Sequence, residues 1–318
     1  MCPAATAPTI PIDRKGATMP TTETHPSTRW DSAPLDLPAY LDRIGYDGPL
    51  TPTLTTLEAL IRAHLEAIPF EGLDPLLGTP VLLDTESLQH KLVRRGRGGY
   101  CHEHNILFAS VLDRLGFQVT GRAARMLMGG DEREMGPVAH TILSVVLDGV
   151  DWHVDVGVGS SGPRGPIPLV AGAEVATGRW KYRMDRSEQD HWVLRLRQPG
   201  GWFNLVQFTG ERYYRADYAG YNHVASTDPE SPFTQGIVVH HNGDDVRRTL
   251  NGLTLTSHRP HGERAQREIA ADEVPRILRT VFGLELPRDQ EQALVEIARQ
   301  AAGARSADAR ERTSRSSA

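Results

Sequence analysis

The sequence predicts an α+β chain whose character changes twice along its length. Apolar residues recur at helical spacing through the first hundred or so positions, and β-branched runs with hairpin signals take over from Phe117. A final block mixes short strands with helices. With 318 residues, 39% hydrophobic and 24% charged, the composition is that of an ordinary folded protein large enough for two or three domains.

Residues 1–29 hold five prolines and seven threonines with scarcely any large apolar side chain. They cannot offset the entropy of becoming ordered and are read as a disordered leader, with Met19 a second candidate start. Leu37, Tyr40, Leu41 and Ile44 then predict a helix, as do Leu54, Leu57, Leu60, Ile61 and Leu65, with Gly45 and Pro69 as punctuation. A third helix is predicted over Cys101 to Leu115, striped by Ile106, Ala109, Leu112 and Leu115 and stopped at Gly116. Strands follow at Val138 to Leu147, Val154 to Val158, Trp192 to Leu196 and Phe203 to Phe208. The closing block gives strands at Gly236 to His240, Arg247 to Leu250 and Leu253 to Thr256, with helices near Ala271 to Phe282 and Asp289 to Ala301. From Gln300 to Ala318, Ala, Arg, Ser and acidic residues show no hydrophobic face, and a frayed or disordered tail is expected.

Several function classes are excluded at this level. No apolar run approaches the roughly twenty residues a membrane-spanning helix needs, and no secretory signal is present, so the default location is the cytoplasm. A formal charge of −5 with no Lys/Arg face gives no electrostatic reason to bind nucleic acid. Only Cys2 and Cys101 occur, which argues against a disulfide framework. No Cys-x-x-Cys, His-Glu-x-x-His, Walker or Gly-x-Gly-x-x-Gly pattern is found, so neither a metal nor a mononucleotide fingerprint is read.

The interior cysteine lies in Arg97-Gly98-Gly99-Tyr100-Cys101-His102-Glu103-His104-Asn105, at the predicted start of a helix, where free N–H groups and the helix dipole favour a thiolate. The two glycines supply the unusual backbone angles and close approach of a reactive turn. An inert core thiol is the competing reading. A nucleophilic thiol needs a base, and the chain has thirteen histidines. His102 and His104 flank Cys101 but point elsewhere on a helix. His140 is the better candidate, because Val138 to Leu147 turns through Asp148-Gly149 into Trp152 to Val158 as one hairpin. A two-residue turn pairs Leu147 with Val150 and sets His140 opposite Gly157, with Asp155 its diagonal neighbour on the same face. A three-residue loop would separate them. A polar pair on a wet sheet face is the competing reading. Together, Cys101, His140 and Asp155 have the composition that acyl transfer through a thioester demands. His240-His241 alternates faces of a strand and is read as structural.

These residues resemble the arylamine N-acetyltransferases. The family's Arg-Gly-Gly-x-Cys-x-Glu-x-Asn signature is matched at Arg97, Gly98, Gly99, Cys101, Glu103 and Asn105, and its Ile-Pro-Phe-Glu-Asn-Leu segment at Ile68 to Leu73. The family's histidine corresponds to His140, its Asp-Val-Gly-Phe-Gly segment to Asp155 to Gly159, and later landmarks to Ser231-Pro232-Phe233 and Arg247 to Leu250. The resemblance spans roughly residues 34–290. It implies an acetyl group carried from acetyl-CoA to an arylamine, arylhydrazine or N-hydroxyarylamine by a ping-pong mechanism through an acetyl-cysteine on Cys101. His140 would exchange the proton, Asp155 would hold the imidazole, and no metal is needed. Glu71 and Arg97 match a salt bridge behind the site. Phe70, Val158 and Phe233 match apolar pocket positions, and a backbone contact for coenzyme A is expected near Gly136.

The implied architecture has three parts on a cysteine-protease-like core. These are a helical domain over 30–120 carrying the cysteine, a β-barrel-like domain over 121–222 carrying His and Asp, and an α/β lid over 223–300, with a tail over 301–318. Two departures stand out, Gly72 in place of Asn and Val158 in place of Phe. The second should enlarge the acceptor pocket and remove an edge-to-face partner worth about 0.5–1.5 kcal/mol. The rival readings are an amide synthase that releases or cyclises a polyketide with the same three residues, a thiol hydrolase, and a non-catalytic binding module. A homodimer is left open.

Overall fold

The computed structural model describes residues 30–316; the expected leader, Cys2 and Met19 lie outside them. Helix α1 (Leu37–Arg43) is capped by Asp36, whose carboxylate accepts from the Ala39 N–H, and α2 (Leu54–Ala67) by Thr53, which accepts from the Thr56 N–H. A two-residue strand β1 (Phe70–Glu71), α3 (Leu73–Leu76) and α4 (Thr85–Leu88), which runs on as a π-helical stretch over Gln89–Arg94, lead to α5 (Cys101–Arg114). Gly116 ends α5 with φ 86°, a left-handed angle that favours glycine.

The middle of the chain is an eight-stranded antiparallel sheet. Its strands are β2 (Gln118–Met126), β3 (His140–Leu147), β4 (Val150–Val154), β5 (Ile167–Pro168), β6 (Ala173–Thr177), β7 (Trp180–Arg186), β8 (Trp192–Gln198) and β9 (Gly201–Phe208), in the spatial order β5-β4-β3-β2-β9-β8-β7-β6. It curls around its own apolar side chains, among them Ile142, Tyr182, Leu194 and Val206. After α6 (Asp217–Thr227) and α7 (Pro232–Gln235) come β10 (Val238–Asn242), β11 (Arg247–Asn251), β12 (Thr254–His258) and β13 (Arg264–Glu268). The amphipathic α8 (Val274–Phe282) and α9 (Arg288–Ser316) cover this second sheet. Its strand order is β1-β10-β11-β12-β13, so β1 stitches the first part of the chain to the last. The fold is the expected α+β arrangement: helices, then a barrel-like sheet, then a mixed C-terminal layer.

Two expectations are corrected. The strand predicted over Val154 to Val158 ends at Val154, because Asp155 turns its carboxylate back onto the Gly157 N–H (2.8 Å) and leaves the ladder. The segment from residue 301, expected as a tail without order, continues α9 to Ser316; its Ala, Arg and Glu residues are strong helix formers even without an apolar face.

A core of Leu57, Leu60, Ile61, Phe108 and Leu112 from the helices packs directly on Leu143, Val145 and Val154 of the barrel. Burying this many aliphatic side chains, at about 1.5–3 kcal/mol each, holds α5 against β3 and fixes where the first turn of α5 sits.

Candidate active site

The turn before α5 is built by close packing. The Glu71 N–H donates to the Gly99 carbonyl (2.8 Å), and a Cβ on Gly98 would lie 2.0 Å from the Pro69 oxygen. Neither Gly98 nor Gly99 has a positive φ, so the glycines serve backbone approach alone and the expected unusual angles are absent. Arg97 clamps the same turn. Its Nε donates to Glu71 Oε1 (2.8 Å) and its Nη2 to Asp74 Oδ1 (2.9 Å), with Arg97 and Glu71 both essentially inaccessible to solvent. Lys91 joins the cluster by bridging Asp74 and Glu103 at 2.7 Å each, and Glu103 Oε2 accepts the Tyr100 N–H (3.0 Å) to cap α5. Glu71 and Arg97 thus form the expected ion pair. Asp74 and Lys91 extend it and had no signal in the sequence beyond their charge.

Cys101 opens α5, buried and outside any disulfide. The hairpin has the two-residue turn, with Asp148 and Gly149 both at positive φ and Leu147 paired with Val150. That register delivers His140, whose Nε2 donates to Asp155 Oδ2 (2.7 Å) and whose other ring nitrogen is left for the cysteine side. Asp155 Oδ1 also accepts from Asn105 Nδ2 (2.9 Å) and the Gly157 N–H (2.8 Å). Asn105 is itself held by the Thr141 carbonyl and the Val156 N–H. Its role in orienting the carboxylate was not drawn from the motif that contains it. A Cβ on Gly157 would fall 2.7 Å from the Cys101 Cα, which explains the glycine after Asp-Val.

The electrostatics follow from burial and partners. Burial pushes the Cys101 thiol up, but the His102 and His140 imidazoles beside it prevail and bring it down to about 5. Burial pulls His140 down, while the Asp155 carboxylate and the Cys101 thiolate raise it to about 10. Asp155 is raised by burial and lowered further by His140 and Asn105, ending below the usual carboxylate range. Both shifts run in the direction that favours a thiolate–imidazolium pair.

The flanking histidines part company. His104 lies in a buried chain in which Tyr40 Oη meets His64 Nδ1 (2.8 Å), His64 Nε2 meets His104 Nδ1 (2.8 Å) and His104 Nε2 meets the Pro69 carbonyl (3.2 Å). Because that carbonyl can only accept, each imidazole donates through Nε2 and accepts at Nδ1, and both stay neutral. His102 is instead held from β3, its Nδ1 2.6 Å from Thr141 Oγ1, and its imidazole acts on the thiol, against the expectation that it points elsewhere.

Of the apolar pocket positions, Phe70 and Phe233 gather with Tyr100 and Cys101, with ring centroids 6.0 Å apart for Phe70–Phe233 and 5.0 Å for Tyr100–Phe233. Val158 is buried in the barrel cluster beside Ile142 and Ile167 and does not join them. A Cβ on Gly72 would lie 2.4 Å from Phe233 Cδ1, so this departure makes room for Phe233. His240 stacks on Phe70 at 5.2 Å. Gly136 lies on an exposed loop whose backbone is already used, its N–H by the Glu134 carbonyl and its own carbonyl by Arg125. Among the described residues no cluster of three or more His, Cys, Asp or Glu could hold a metal ion, and no helix is long and apolar enough to cross a membrane.

A buried thiol, an imidazole and an oriented carboxylate define a site suited to acyl transfer through sulfur. Comparison with known proteins agrees. The chain matches the N-acetyltransferase family model over residues 53–291. It is 41% identical to an arylamine N-acetyltransferase of Mycolicibacterium smegmatis over 256 residues, 79% of this chain and 93% of that one. It is 31% identical to an arylamine N-acetyltransferase / N-hydroxyarylamine O-acetyltransferase of Salmonella typhimurium, over 78% of this chain and 88% of that one. Among solved structures, the arylamine N-acetyltransferase of Nocardia farcinica superposes with a TM-score of 0.81 at 40% identity, covering 86% of this chain and 97% of its own. The Mycobacterium marinum enzyme in complex with CoA gives 0.77 at 36% identity, covering 82% and 98%. The chain is an acyltransferase, and it belongs to the arylamine N-acetyltransferase family.

Proposed function

We propose that the protein moves an acetyl group from acetyl-CoA to an arylamine, arylhydrazine or N-hydroxyarylamine through an acetyl-cysteine on Cys101, in the cytoplasm. The observation that carries this reading is the 2.7 Å contact of His140 with Asp155 beside the buried Cys101 thiol. The co-substrate follows from the family and from the CoA complex of the Mycobacterium marinum enzyme.

In the first half-reaction the Cys101 thiolate attacks the thioester carbonyl, a C–S bond to Cys101 forms, and the bond to the coenzyme sulfur breaks. His140 passes its Nδ1 proton to the departing thiolate. In the second, the amine nitrogen attacks the acetyl-cysteine, His140 takes the proton that nitrogen loses, and the thiolate is restored. Asp155 holds the ring through Nε2, so that Nδ1 is the nitrogen that exchanges the proton. The dipole of α5 adds to the stabilisation of the thiolate at its N-terminus. Phe70 and Phe233 form an aromatic wall beside Cys101 on which an arylamine ring can pack. The division of labour is by part of the chain: 30–120 supplies the thiol, 121–222 the imidazole and carboxylate, and 223–300 the covering layer with Phe233.

The test is two-substrate kinetics with acetyl-CoA and a series of anilines and hydrazines. Parallel double-reciprocal lines are expected; intersecting lines would show a ternary complex and exclude the acetyl-cysteine.

A further inference from the structure

The first turn of α5 presents a second imidazole to the thiol. His102 is fully buried, and its Nδ1 lies 2.6 Å from Thr141 Oγ1. The Tyr100 ring meets it edge-on at 5.4 Å, while its Nε2, equally buried, has no hydrogen-bond partner. A buried imidazole nitrogen without a partner is uncommon, because desolvation is then uncompensated. His102 directly follows Cys101 at the start of α5, and its imidazole is among the groups that bring the thiol down. Strand β3 reaches the start of α5 twice in succession, His140 toward Cys101 and Thr141 toward His102, so one strand sets both rings. The other titratable groups around the thiol are few. Tyr100 precedes it, Asp155 stands behind His140, and Glu103 is turned away onto Lys91 with Asp74.

We propose that His102 is a second partner of the Cys101 thiolate, anchored by Thr141 through Nδ1 so that Nε2–H is directed at the sulfur, and that it holds the anion without exchanging the proton that His140 carries. Both protonation states of His102 serve this role. Charged, it donates from Nδ1 to the Thr141 hydroxyl oxygen; neutral, it accepts that hydroxyl at Nδ1 and keeps the proton on Nε2. Both imidazoles, His102 first and His140 second, bring the Cys101 thiol down. The consequence is that the Cys101 thiolate keeps an imidazole partner when the His140 ring is removed. The inference rests on the reading of Cys101 as the nucleophile.

The experiment is the pH dependence of Cys101 alkylation by iodoacetamide, in which the thiolate displaces iodide, read at the Cys101 peptide by mass spectrometry. It is run on the wild type, His102→Gln, His102→Phe, His140→Gln and the His102→Gln/His140→Gln double variant, each checked for cooperative melting. The wild-type midpoint is expected near 5. His102→Gln and His102→Phe should raise it by a pH unit or more, slowing alkylation at pH 5 about fivefold or more while rates converge above pH 9. His140→Gln should keep a midpoint below that of a free thiol, and the double variant should return to about 8.5. A His102 variant that folds and titrates like the wild type overturns the proposal, as does a His140→Gln midpoint already at about 8.5. A wild-type midpoint at the free-thiol value would instead overturn the nucleophile reading, and this inference with it.

Discussion

Arg97→Met removes the cation at the centre of the cluster behind the cysteine while leaving a side chain of similar length. Arg97 and Glu71 are 1% and 0% exposed, and the pair makes contacts of 2.7 and 2.8 Å, with Asp74 at 2.9 Å on the same guanidinium. Losing the arginine leaves the Glu71 carboxylate with the Leu73 N–H (2.8 Å) as its remaining hydrogen bond, and Asp74 with Lys91. Breaking a buried pair by removing one partner costs about 3–5 kcal/mol, since an uncompensated charge is left in the interior. At about 2 °C per kcal/mol for a chain of this size, the melting temperature should fall by roughly 6–10 °C. Turnover should fall with it, because the same guanidinium fixes the Gly98-Gly99 turn on which Cys101 is mounted. The assay is differential scanning calorimetry beside steady-state turnover, with Glu71→Gln and the double variant completing a cycle. The double variant should lose less than the sum of the singles, because the second change removes the stranded charge. Wild-type melting with turnover alone abolished would refute the reasoning, and so would strict additivity.

Other outcomes follow from the same geometry. Asn105→Ala should lower kcat more than it raises KM, since Asp155 loses one of three donors, and it should cost about 1–3 kcal/mol in denaturant unfolding; an unchanged kcat would contradict this. His153 is fully buried, stacks on Phe208 at 5.3 Å and has neither ring nitrogen paired, so His153→Leu should stabilise the protein at neutral pH by on the order of 1 kcal/mol. Burial holds His153 and His104 down at about 4. For such groups the unfolded chain binds the extra protons, so their stabilisation is complete above about pH 6.5 and is lost as pH falls toward 4. Urea unfolding at pH 7 and pH 5 should therefore show a loss at pH 5 that His153→Leu reduces; a pH-independent wild type would contradict it. Val158→Phe overpacks the barrel cluster beside Ile142 and Ile167 and should cost about 1–3 kcal/mol in urea unfolding; wild-type stability would contradict this.

The site was legible where spacing and turn chemistry carry it. Asp148-Gly149 can take positive φ at both positions, which fixes a two-residue turn and the register of β3 with β4; His140 then meets Asp155 just beyond the end of that ladder. Cys101 was legible because glycines, an interior cysteine and a helix stripe coincide. What escaped depends on tertiary packing. Lys91 and Asp74 carry no spacing signal, and their pairing exists only in the folded chain, where Lys91 comes from the π-helical stretch after α4. The conformation of Asp155 depends on Asn105, fifty residues away in sequence. Strand β13, Arg-Ala-Gln-Arg-Glu, is exposed along its whole length and has no apolar alternation to betray it; it exists because β12 offers an open edge. Strand β7 hides Tyr182 and Met184 between charged residues that face outward. His102 was dismissed on helical periodicity, yet at the first turn of α5 its ring is held by Thr141 from outside the helix.

The most direct measurement is intact and peptide mass spectrometry of the full chain incubated with acetyl-CoA and no amine. The predicted result is one acetyl group on Cys101, removed by hydroxylamine and absent in Cys101→Ala. A folded sample with no acetyl group on Cys101, or with acetylation that persists in Cys101→Ala, would contradict acetyl transfer through this thiol.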